Sequence, residues 1–129
     1  MFYETMACLC DVLSKKLLLA KKTRALYEAG DKDGLRTLAE SDYTECIELL
    51  DIFYKSFRKQ WYEVNKTYGF EIHDARLGGL KRRLESCKER LLSYAKNEIP
   101  EIAELEEKLL PMKDTYITSW AEMISSNVI

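Results

Sequence analysis

Tyr43, Ile47, Leu50, Tyr54, Phe57, Trp61 and Val64 step through the middle of the chain by three or four residues, for six turns. This is the strongest periodic signal in the sequence, and its period is that of one face of an amphipathic α-helix. Such a helix is stable in water only when other elements cover its apolar side. The rest of the chain supplies them in kind. Five Gly and two Pro among 129 residues leave little room for the turns of an all-β fold. With 47% hydrophobic and 33% charged residues, the chain is globular in composition, and its length suits a single domain spanning residues 1–129.

Four or five helices follow from apolar spacing. The first is expected from Phe2 to Ala29, with Phe2, Met6, Leu9, Leu13, Leu17 and Ala20 as its apolar stripe and Gly30 as its C-terminal cap. Asp33 is placed to cap a short second helix, Gly34–Glu40. Ser41 or Asp42 then caps the central helix, which should stop at the turn residues Asn65–Gly69. A fourth helix is expected from about Asp74, with Leu77, Leu80, Leu84, Cys87, Leu91 and Tyr94 as a narrow seam. Pro100 suits the first turn of a short fifth helix that buries Ile102, Leu105 and Leu109 and ends at Pro111. Residues 115–129 read equally as strand or helix. The expected fold class is therefore all-α: an antiparallel bundle of three long helices plus one or two short ones.

Several function classes find no support. A net charge of −2, with basic and acidic residues interspersed, gives no phosphate-binding face, so nucleic acid is not an expected partner. Apolar runs such as Leu17–Ala20 are far too short to cross a bilayer, and Glu4 precedes any basic residue, unlike a signal peptide. No membrane partner and a cytoplasmic setting are expected. Cys8, Cys10, Cys46 and Cys87 fit no common zinc spacing and read as small hydrophobes in a reducing compartment. No metal and no cofactor are expected. His73 is the single histidine, which excludes di-iron bundle motifs, and it reads as a residue of a helix start rather than a general base. Nothing marks a catalytic pair among the 22 acidic residues. Arg76, Arg83 and Arg90 recur every seven residues on one helical face, the arrangement by which small all-helical mutases hold a dicarboxylate; here that face is expected to meet solvent or acidic neighbours.

One stretch carries more than composition and period: WYEVNKTYGFEIHDARLGGLKRRLESCKERL, from Trp61 to Leu91. Trp61, Asn65-Lys66, Gly69-Phe70, Asp74 and Arg76-Leu77-Gly78-Gly79-Leu80, followed by Arg83-Leu84 and Lys88-Glu89-Arg90-Leu91, resemble the C-terminal helical region of a subgroup of family 20 glycoside hydrolases, the bacterial β-N-acetylhexosaminidases. The later Pro100–Glu107 and Ser125–Ile129 are similar to the end of that family, so the likeness spans the whole chain.

The resemblance implies a fragment cut from the C-terminus of a larger enzyme, a non-catalytic accessory domain with no catalytic residues of its own. In that family an adjacent Asp-Glu pair on a (β/α)8 barrel performs the chemistry, and this chain has neither the length nor the strand–helix repeat of a barrel. The implied partners are the catalytic barrel of the parent chain and, through a homodimer, a second copy. The alternative is a stand-alone helical interaction module without glycosidase context. The residues expected to serve packing or interface are Trp61, Asn65, Phe70, Asp74, Arg76, Gly78 and Gly79. The two glycines are expected to let another backbone approach closely, so that alanine there would cost stability.

Overall fold

A computed structural model describes residues 2–107. The described chain is helical throughout, with no strand: α1 (Phe2–Glu28), α2 (Lys32–Leu38), a π-helical turn (Ala39–Tyr43), α3 (Thr44–Val64), α4 (Phe70–Ala95) and α5 (Ala103–Glu106). The all-α bundle with three long helices is thus the observed architecture. Residues 115–129, Leu109 and Pro111 lie outside the described residues.

Gly30 ends α1 as expected. Its φ of +67° lets its N–H reach Tyr27 O while the Asp31 N–H reaches Leu26 O, the paired bonds of a Schellman cap. The same Asp31 then starts α2, its Oδ1 accepting the Gly34 N–H at 2.8 Å. Asp31, two residues before the expected Asp33, is therefore the cap. Asn97 repeats the device after α4: at φ +62° it turns the chain while Asn97 N–H bonds Tyr94 O and Glu98 N–H bonds Ser93 O.

The boundary expected at Ser41-Asp42 does not form. Leu38, Ala39, Tyr43 and Thr44 all keep right-handed helical backbone, so α2 runs into α3 through the π turn without a break. The polar residues that resemble an N-cap are used otherwise. Ser41 donates back to Thr37 O at 2.6 Å, and Asp42 accepts from Lys22 on α1 at 2.7 Å, a neighbour that holds the Asp42 carboxyl below the usual carboxylate range. Two further boundaries shift. Helix α4 starts at Phe70 rather than near Asp74, and α5 starts at Ala103, leaving Pro100 in the preceding loop.

Cross-links fix the directions. Thr5 pairs with Ser56 (2.9 Å), Lys15 with Glu45 (2.6 Å) and Thr23 with Tyr43 (2.8 Å), so α1 and α3 are antiparallel. Tyr54 with Asp74, Asp51 with Lys81 and Thr44 with Lys88 set α3 against α4 in the same way. The core runs along α3 and gathers Val12 and Leu19 of α1, Leu35 and Leu38 of α2, Cys46, Leu50 and Phe53 of α3, and Leu84 and Leu91 of α4. The central stripe is thus centred one residue away from the expected one, with Tyr43 and Leu50 buried but Val64 exposed. On α1 the difference is larger: the inward face is Thr5, Val12, Leu19 and Thr23, while most of the expected stripe faces outward.

Candidate functional site

The residues that carry the family resemblance divide between two places. At the α3–α4 reversal, Gly69 adopts φ +101° and the Trp61 ring lies 3.4 Å from where a Cβ would stand. Trp61 Nε1 donates to Lys66 O at 3.0 Å, which ties the loop to the helix it leaves. The turn brings Phe70 into the centre of an aromatic cluster, with Tyr54, Phe57, Trp61, Tyr62 and His73 at ring-centre distances of 5.5–6.0 Å. Asn65 terminates α3 in extended conformation, its N–H bonded to Trp61 O at 2.8 Å. His73 stacks edgewise on Phe57 and Trp61, in the second turn of α4, as a member of the cluster. This part of the motif builds a rigid corner.

One to three turns further along α4, Asp74 accepts a 2.7 Å bond from Tyr54, and a shallow cavity of about 240 Å³ lies over Asp74, Gly78, Asp51 and Lys81. Arg76 is half-buried on the same helix. Among the described residues no heavy atom lies within 4 Å of a Cβ built on Gly78, so no backbone of the described helices makes the expected close approach at this position. The reason is geometric: Gly78 borders the shallow cavity between α3 and α4, where it is open to solvent, while the neighbouring Leu77 and Leu80 pack against the core. Gly79 is half-buried. We therefore expect Gly78→Ala to raise the unfolding free energy by up to about 1 kcal/mol, the helix-propensity difference, as read from a denaturant titration. A loss of stability on that substitution would restore close packing as its explanation.

Two features were not legible in the motif. The first is a cavity of about 690 Å³ between the C-terminal half of α1 and α4, floored by Tyr43 and closed at one end by Ile102 and Leu105. Three arginines line it: Arg24, Arg83 and Arg90. The seven-residue spacing identified two of them, but Arg76 is not among the lining residues and Arg24 comes from another helix. Arg90 pairs with Glu104 at 2.9 Å, and Glu104 is held below its ordinary range by its own backbone amide and then by Arg90. Cys87 also lines the cavity, and burial pushes its thiol up, as it does for Cys46 in the core. All four cysteines are free.

The second is the outer face of α1. Phe2, Tyr3, Met6, Leu13, Leu17 and Leu18 are exposed there, Tyr3 to 88% and Leu17 to 74%. Isolated exposed hydrophobes are ordinary, but a run of this length along one helix is the kind of surface that marks an interaction site. Among the described residues no helix is long and apolar enough to cross a membrane, and no group of three or more His, Cys, Asp or Glu is placed to hold a metal.

Among the described residues the fold is a helical bundle with an aromatic corner, and neither a barrel nor a nucleotide-binding fold. The family model described as the Glycoside Hydrolase 20C C-terminal domain matches residues 1–125, and the chain belongs to that family. No curated protein matches it.

Proposed function

We propose that the chain is a non-catalytic accessory domain of a β-N-acetylhexosaminidase-type glycoside hydrolase, an enzyme that removes terminal N-acetylhexosamine residues. In this reading it scaffolds the enzyme by covering one side of the catalytic (β/α)8 barrel, and it offers the same kind of surface to a second copy in a homodimer. The observation that carries the reading is the outer face of α1, an apolar strip that lies exposed among the described residues and outside the buried core. Membership of a family described as the C-terminal domain of a glycoside hydrolase supports choosing the catalytic barrel as the partner. Four free thiols, two of them raised by burial, suit a reducing, cytoplasmic setting.

The test is hydrolysis of a chromogenic N-acetylglucosaminide by residues 1–129 alone and by the same gene product extended upstream through a barrel. Turnover confined to the extended form is the expected result. Turnover by the purified 129-residue chain would refute the accessory reading and return attention to the carboxylates and arginines of the bundle.

A further inference from the structure

The cavity between α1 and α4 has its own chemistry, separate from the apolar face of α1. Its volume, about 690 Å³, is that of a small-molecule site rather than of a packing defect. Its floor is apolar, with the Tyr43 ring, Leu91, Ile102 and Leu105. Its rim is basic. Four cations, Lys21, Arg24, Arg83 and Arg90, face two anions, Glu28 and Glu104.

Pairing within the rim is uneven. Arg90 is taken by Glu104 at 2.9 Å, and Arg24 donates to Leu105 O at 3.2 Å. Arg83 and Lys21 take part in none of the close ion pairs among the described residues, and Arg83 adds to Arg90 in holding the Glu104 carboxyl low. The walls are fixed before any ligand arrives. Thr23 and Tyr43 hydroxyls bond at 2.8 Å, Ile102 N–H donates to the Tyr27 hydroxyl at 3.1 Å, and that hydroxyl donates to Glu106. A preformed apolar floor under a rim with more cations than anions selects a particular kind of molecule. A sugar, which carries hydroxyls on every side, would strand several of them against Leu91 and Ile102. An amine would meet like charge at the rim.

We infer that this cavity binds a small organic acid, with its carboxylate on Arg83 and its aliphatic or aromatic body on the Tyr43–Leu91–Ile102 floor. A molecule of about 10–15 heavy atoms fits within such a volume with room to spare. Binding there does not depend on the accessory reading above.

The test uses the 129-residue chain and decanoate as the probe. Binding is followed by displacement of the fluorophore 8-anilinonaphthalene-1-sulfonate and by protection of Cys87 from N-ethylmaleimide, with a Cys10→Ser background removing the other exposed thiol. The expected result is one saturable site for decanoate. Decanol and decylamine should compete at least about tenfold more weakly, the worth of one charge-assisted hydrogen bond. Arg83→Gln and Arg83→Glu should reduce decanoate affinity by about tenfold or more while the far-ultraviolet circular dichroism and melting temperature stay unchanged, because Arg83 is exposed. Equal competition by decanol, or full affinity in Arg83→Gln, would overturn the assignment. So would binding that arises only when the chain is shortened to end at Glu107, which would make the groove the seat of residues 108–129 instead.

Discussion

Phe70→Ala is expected to lower the unfolding free energy by about 3–5 kcal/mol and the melting temperature by roughly 10–20 °C. Phe70 is 1% exposed, and its ring meets five other aromatic rings from both sides of the α3–α4 turn. Truncation removes the transfer free energy of the ring and leaves a cavity that those neighbours cannot close. Gly69 holds the turn at φ +101° and the Trp61 indole is pinned to Lys66 O, so neither can move inward without breaking a bond or a backbone preference. Through Phe57 the loss also reaches the main core. Tyr68→Ala, two residues away and 86% exposed, is the control and should change stability by less than about 0.5 kcal/mol. Similar small losses from both substitutions would show that this corner unfolds independently of the bundle.

Helix content and class were legible because the apolar positions along α3 and α4 keep helical spacing over many turns. Boundaries were less so, for a reason visible at residues 37–44. Ser and Asp there satisfy the pattern of a helix start, since their side chains bond nearby backbone in non-helical conformations. In the fold the Ser41 hydroxyl instead turns back to Thr37 O, and Asp42 is taken by Lys22 of α1. A partner twenty residues away decides the matter, and local pattern does not contain it. The absorbed residue is accommodated by the π turn, which keeps Ala39 and Tyr43 both facing the core.

The candidate site divides in the same way. Trp61 and Phe70 are where aromatic residues flanking a Gly turn should be, packed on each other. At Gly78 two adjacent glycines suggest close approach, whereas among the described residues this one borders open space in the shallow cavity between α3 and α4. The arginine cavity was half visible: spacing placed Arg83 and Arg90 on one face, but Arg24 joins them only through the splay of α1 from α4.

On α1 the sequence offers two faces, and periodicity alone picked the wrong one. The buried face contains Thr5 and Thr23, which score as polar and yet cross-link to Ser56 and Tyr43 inside the bundle. The more hydrophobic stripe, Phe2, Met6, Leu13 and Leu17, is left facing out. A helix that spends its most apolar side on solvent in the isolated domain is expected to bury that side elsewhere. Leu13→Glu with Leu17→Glu tests this directly. In the 129-residue chain the pair should lower the melting temperature only slightly, because Leu17 is 74% and Leu13 41% exposed, and should reduce self-association. In the form extended through a barrel, each substitution forfeits about 1.5–3 kcal/mol of leucine burial and adds the desolvation cost of a carboxylate. The extended protein should then lose its single melting transition, the bundle melting apart from the remainder, and its half-life at elevated temperature should fall more than about tenfold. If the extended protein keeps one unshifted transition, the outer face of α1 is not the surface that joins this domain to its enzyme, and the cover for that stripe must be sought in a second copy of the chain.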